Sequence, residues 1–350
     1  MKAKVLLSLT GIVFIFLVLE VGARVYKGEY GFRNFLEDRI NLFRSAYPVQ
    51  FDPELGWIPE ENFSNTVNIW KTNVSILEDG IRFNGNEENS DLKGDSDLIL
   101  AVGDSFTFGD EVSDNETWPA VLEKIANKKV VNGGVFGYGI DQSFLRMKVL
   151  VAKYNPDIVI FSFIPANVRR SQLSKRTSYP KPYFEVQNGN LVLKEDHITL
   201  PPEKRLDPLR KILGYSFFTH GFMMNVFRKY WFLGFRESEL VHSDGQEVAC
   251  LIFKEIKNFA LMEGIKDIYI LVQYPKHPNE HIFPQLDKLL QCVDQNYLVL
   301  IDLRSDLISL KNNDYKKYKT FFSIEHDHMT FEGDRFVADI LLQNMSDSTD

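Results

Sequence analysis

Five strand-length runs of almost unbroken aliphatic residues, at 98–102, 129–132, 157–163, 266–273 and 297–303, alternate with stretches of helical periodicity at 117–126, 141–154, 246–263, 282–293 and 331–342. A strand with one wet face would alternate apolar and polar side chains, so runs that are apolar on both faces need cover on both sides. Separated by amphipathic helices, they predict a parallel central sheet between two helical layers, a three-layer α/β/α domain. The chain has 350 residues and is 44% hydrophobic. That suffices for one domain of about 250 residues with extensions.

The chain ahead of the alternation divides in two. Lys2 and Lys4 precede an uncharged, almost wholly apolar stretch over 5–19, and Glu20 and Arg24 follow one helical turn apart, where they can pair. This predicts an N-terminal signal anchor or transmembrane helix over 1–25, retained rather than cleaved, with Val21-Gly22-Ala23 as the competing cleavage site. Residues 26–95 are polar, aromatic and turn-rich, and are expected to form an extension packed on the core. Their clearest signals are Asp52-Pro53-Glu54-Leu55-Gly56-Trp57 and Asp79-Gly80-Ile81-Arg82-Phe83.

The main domain, 96–345, is interrupted after its third strand by an insertion over 169–245, far longer than connections in such units. Within it Asn188-Gly189 separates two extended runs and predicts a type I′ hairpin, because both turn positions need positive φ. The aromatic-crowded stretch 215–235 is expected as a packed helix at the rim of the site.

A formal charge of −8 gives no reason to expect nucleic acid as a partner. The two cysteines, Cys250 and Cys292, exclude a disulfide framework and argue against a thiolate zinc site. Free buried thiols on two core helices are expected, with a single bridge in an oxidising compartment as the alternative. His277 and His281 stand four apart, but Pro275 and Pro278 argue against a helix there. His326, Asp327 and His328 lack further ligands nearby, so neither a metal nor a cofactor is expected.

Gly103-Asp104-Ser105 closes the first aliphatic run and reads as a tight turn at a strand's carboxyl end, where open α/β sheets place reactive groups. Nucleophilic acyl chemistry needs a hydroxyl, a base, a group orienting the base, and donors for an oxyanion. Candidates for each follow in order. The second strand leads into Asn132-Gly133-Gly134-Val135-Phe136-Gly137-Tyr138-Gly139, the third into Ile164-Pro165-Ala166-Asn167, and Glu325-His326-Asp327-His328-Met329-Thr330 precedes the last helix.

These four ordered blocks resemble the SGNH (GDSL-like) hydrolase family over roughly 98–342, most closely at Gly103-Asp104-Ser105-Phe106-Thr107-Phe108-Gly109 and His328-Met329-Thr330-Phe331-Glu332-Gly333. The stretch from Glu111-Val112 to Trp118-Pro119, the upstream Asp52-Pro53-Glu54-Leu55-Gly56-Trp57 turn and the N-terminal segment also look like a bacterial envelope-anchored branch of that family. The resemblance implies a flavodoxin-like sheet, Ser105 as nucleophile and His328 as base. It also implies an oxyanion hole of the Ser105 and Gly137 N–H groups and the Asn167 amide, with Gly134 as the fallback donor. The family's aspartate three residues before the histidine is here Glu325, the first choice for orienting His328, with Asp327 the alternative.

The function so implied is an exported esterase acting on O-acetyl esters of envelope or extracellular polysaccharide through an acyl-enzyme. A carbohydrate O-acetyltransferase and an inactive carbohydrate-binding relative are the competing classes. The expected partners are the acylated polysaccharide or another ester, the membrane through the N-terminal helix, and polysaccharide-assembly proteins. The expected location is the cell envelope, with the catalytic domain outside the cytoplasm.

Overall fold

The computed structural model describes residues 2–40, 48–65, 72–86, 97–176, 179–199, 206–232, 238–241, 243–278, 281, 283–323 and 327–347. Its centre is a five-stranded sheet of β1 (Leu98–Val102), β2 (Lys129–Asn132), β3 (Ile158–Phe163), β4 (Asp267–Val272) and β5 (Val299–Asp302), all pairing parallel. The order across the sheet is β5-β4-β3-β1-β2. That is the flavodoxin-like order, in which the chain reverses direction across the sheet between β1 and β3 and opens a crevice at their carboxyl ends. Every residue of β1 and β3 is buried, as their unbroken aliphatic sequences require.

Helices α1 (Trp118–Ala126), α2 (Ile140–Tyr154), α3 (Gly245–Glu263), α4 (Phe283–Gln295) and α5 (Phe331–Asp347) cover the sheet. α1 packs with α5, whereas α2 packs with α3 and α3 with α4. Local chemistry fixes their ends. The Thr117 hydroxyl accepts from the Ala120 N–H at the start of α1, Pro119 occupies the first turn, and Asn127 ends the helix in the left-handed region at φ +50°.

Two attachments brace the carboxyl edge of this sheet. Residues 49–52 and 56–59 form an antiparallel hairpin that buries Trp57. The Trp57 Nε1–H donates to the Phe136 carbonyl at 3.1 Å, and the Tyr138 hydroxyl donates to the Trp57 carbonyl at 2.6 Å. The turn read in the sequence at 52–57 thus props the glycine loop that follows β2. In the insertion, Tyr183–Gln187 pairs with Asn190–Lys194 around Asn188 and Gly189, at φ +53° and +76°, the predicted I′ geometry. Buried Lys181 fastens the insertion to the start of α2 through an ion pair with Asp141, and also donates to the carbonyls of Leu173 and Pro182.

Three expectations change. Cys250 and Cys292 are bridged rather than free, and only partly buried: packing of α3 against α4 brings their Cα atoms to 5.5 Å, within bridging reach. The aromatic stretch after 215 forms helices Phe217–Val226 and Arg228–Trp231, which pack with one another, on the helix Phe35–Ile40 and on the N-terminal helix Lys2–Lys27, instead of standing at the rim of the site. Among the described residues no helix is long and apolar enough to cross a membrane, so a transmembrane span is not supported.

Candidate active site

Ser105 opens a single helical turn, Ser105–Phe108, at the carboxyl end of β1. Asp104 caps it by accepting from the Phe106 N–H at 3.0 Å, while the Thr107 and Phe108 N–H groups bond the Asp104 carbonyl. The first N–H of a helix has no acceptor within the helix, so that of Ser105 is left for a ligand. The glycine loop closes over this turn. A side chain on Gly134 would come within 2.4 Å of the Phe108 nitrogen, so only glycine permits the approach. Gly137 sits at φ +79°, the left-handed region that sets the direction of its peptide group.

His328 reaches Ser105 from the segment preceding α5. Its Nε2 lies 2.9 Å from Ser105 Oγ, and its Nδ1 lies 2.7 Å from Glu111 Oε1. A carboxylate on Nδ1 keeps the proton on that nitrogen and leaves Nε2 to accept from the hydroxyl. Burial lowers the affinity of His328 for a proton, but the Glu111 hydrogen bond and the charges of Asp110, Glu111 and Asp104 outweigh it, so the imidazole titrates above its ordinary value. Asp110 Oδ2 is 3.9 Å from Nε2, on the serine side of the ring.

The carboxylate on His328 is therefore Glu111, which lies six positions after the serine and was not among the sequence candidates. Asp327 instead turns the chain into His328 at φ +63°, and Glu325 lies outside the described residues, as does His326. Geometry explains why Glu111 fits. Gly109 ends the serine's helical turn in the left-handed region and folds the next residues back past the hydroxyl. The available signal was an acid within one loop of the serine, followed by a Ser113-to-Glu116 capping box that fixes where the loop ends.

Buried Arg82, from the N-terminal extension, holds that loop. It donates from Nη1 to the Gly109 carbonyl at 3.1 Å, from Nη2 to the Val112 carbonyl at 2.9 Å, and from Nε to Asp114 Oδ1 at 2.9 Å. One guanidinium thus grips the backbone on both sides of Asp110 and Glu111.

Asn167 lies on a short helix, Ala166–Arg170, after β3. Its Nδ2 donates to Asp104 Oδ2 and to the Tyr138 carbonyl, each at 2.9 Å, and its Oδ1 accepts from the Ile164 N–H at 2.6 Å. Arg170 Nη1 joins the same carboxylate at 2.8 Å. The side-chain amide expected in the oxyanion hole thus stitches the third block to the nucleophile turn in this structure. Across the Ala166–Arg170 helix lies a cavity of about 660 Å³ lined by Arg169, Gln172, Gln246, His277, Leu286 and Leu289 among others.

No protein-family model matches this chain, and no curated protein matches it by sequence. Solved structures do resemble it. The chain is similar to the acetyl xylan esterase AlAXEase at 16% identity, over 71% of this chain and 98% of that one, with a TM-score of 0.43. It is similar to an acetyl xylan esterase from Geobacillus stearothermophilus at 13% identity, over 73% and 96%, with a TM-score of 0.42. It is also similar to a lipolytic protein of the G-D-S-L family from Desulfitobacterium hafniense DCB-2 at 13% identity, over 71% and 99%, with a TM-score of 0.40.

Proposed function

We propose that this protein is an SGNH-type serine ester hydrolase whose triad is Ser105, His328 and Glu111. The observation that carries the reading is the unbroken relay from Glu111 Oε1 to His328 Nδ1 at 2.7 Å and from His328 Nε2 to Ser105 Oγ at 2.9 Å. An inert binding module would have no use for a hydroxyl, a base and an orienting acid in register.

In the proposed reaction Ser105 Oγ attacks the ester carbonyl while its proton passes to His328 Nε2, and the Glu111 carboxylate stabilises the imidazolium. The N–H groups of Ser105 and Gly137 receive the oxyanion. The tetrahedral intermediate collapses as His328 returns the proton to the departing alkoxide, which leaves an acyl-Ser105. Water, deprotonated by His328, then releases the carboxylate and restores the hydroxyl. If a sugar hydroxyl took the place of water, the same intermediate would yield acyl transfer.

The proposed substrate is an O-acetylated polysaccharide of the envelope. A mixed polar and apolar cavity across the short helix that carries Asn167 is suited to the non-reacting part of a sugar chain. The proposed location is outside the cytoplasm, at the envelope, and the Cys250–Cys292 bridge supports an oxidising compartment. The test is hydrolysis of a chromogenic acetate ester and acetate release from acetylated glycan by the wild type and Ser105→Ala. Turnover should vanish in the variant with folding unchanged. Equal turnover in both removes Ser105 from the mechanism.

A further inference from the structure

Eight consecutive residues of the N-terminal helix, Ile12 to Leu19, are apolar, and each is between 38% and 67% exposed. Successive helical residues step 100° around the axis, so these eight leave no polar face. A protein groove covers one side of a helix. The Phe217–Val226 helix covers one side of this stretch, and lipid would cover the remainder without a second chain.

The insertion attaches itself to that helix. Glu20 accepts from the Phe217 and Phe218 N–H groups, each at 2.9 Å, and from the Ser216 hydroxyl at 2.7 Å, while Arg24 pairs with Glu20 and donates to the Tyr215 carbonyl at 2.9 Å. The rings of Phe16 and Phe218 meet edge to face. The acid and the base in this part of the helix are thus both engaged in fixing the Phe217–Val226 helix alongside it.

The unit so fixed keeps a small apolar interior around Leu36 and Trp231, to which Leu213, Met223 and Met224 contribute. It also exposes apolar side chains: Leu209, Ile212, Phe222, Val226, Phe227 and Tyr230 are all exposed, with the Phe222 and Phe227 rings in contact. Neither Pro208–Leu213 nor Phe217–Val226 contains a single buried residue. Lys211 and Arg228 in this segment are exposed, as are Tyr26, Lys27 and Tyr30 at and just beyond the end of the N-terminal helix. Amphipathic aromatic rings mixed with cations are what the headgroup layer of a bilayer accommodates. The chain as a whole carries −8, so an anionic surface repels most of it and attracts this patch, which would orient the molecule.

We propose that the segment Pro208–Trp231 is a lipid-docking platform, lying on the headgroup layer of the anionic phospholipid surface that receives the N-terminal helix. This rests on the envelope location proposed above but not on the ester chemistry, because the test reads position and not turnover.

The full chain, with Cys250 and Cys292 left oxidised, is given one added cysteine by Phe222→Cys, Phe227→Cys or, as control, Leu261→Cys on α3. Each variant is labelled with an environment-sensitive fluorophore and reconstituted into phosphatidylcholine–phosphatidylglycerol vesicles, with and without spin-labelled lipid. Labels at 222 and 227 should shift to the blue and lose emission to the spin-labelled lipid, with the loss reduced by Lys211→Glu combined with Arg228→Glu. The label at 261 should do neither. Labels at 222 and 227 that stay as water-exposed as the one at 261 would overturn the proposal. So would a blue shift without quenching, which would identify the occupant as protein.

Discussion

His328 is the base of the proposed reaction, and its surroundings determine when it could act. The general base is the neutral imidazole, so activity should rise with pH through the His328 pKa, and the neighbouring carboxylates place that limb above the ordinary histidine value of about 6.5. Glu111→Gln removes the largest contribution that favours the protonated ring. It should move the acid limb to lower pH while lowering kcat on the order of ten-thousandfold, because the amide no longer fixes the tautomer or balances the imidazolium. Asp327→Asn, compared in the same assay, should leave the limb in place. A larger loss in Asp327→Asn than in Glu111→Gln would return the orienting role to the C-terminal loop. Ser105 and His328 were legible because each sits in a short local pattern beside a strand end or helix start. Glu111 was not, since which acid meets a histidine depends on how two loops 217 positions apart in sequence come together.

At the scale of elements, the site is held by the N-terminal extension as much as by the sheet. Arg82 braces the Glu111 loop, and the 49–59 hairpin braces the glycine loop through Trp57. Arg82→Lys keeps a charge for Asp114 but loses the fork that grips two carbonyls at once. It should lower kcat and shift the His328 limb while leaving KM nearly unchanged, as measured in pH–rate profiles on protein whose unfolding temperature is checked alongside. An unaltered profile would mean that the loop holds its shape unaided. The five strands and five core helices were readable from aliphatic runs and helical period, and the 183–194 hairpin from Asn-Gly, because these signals are local. The helices of the insertion were misplaced for the opposite reason. Their aromatic composition says that they bury something, and only the tertiary bonds to Glu20 and Arg24 say against what.

For the whole molecule, the order of the sheet places the reversal between β1 and β3 at Ser105, which is where ligands meet folds of this type. The bridge between α3 and α4 supports the proposed oxidising compartment, and the exposed apolar residues of the N-terminal helix and of the 208–231 segment support the proposed docking to lipid. The cysteine pairing could not be read from two thiols 42 positions apart, because it depends on the distance between two helices. The central claim is that Ser105 is an activated nucleophile driven by His328 and Glu111. It is tested most directly by intact-mass and peptide-level mass spectrometry after exposure to an active-site phosphonate. The account predicts one covalent adduct per chain, on Ser105, forming fast in the wild type, far more slowly in Glu111→Gln, and not at all in Ser105→Ala. An unmodified wild type, or an adduct on any other residue, would contradict it.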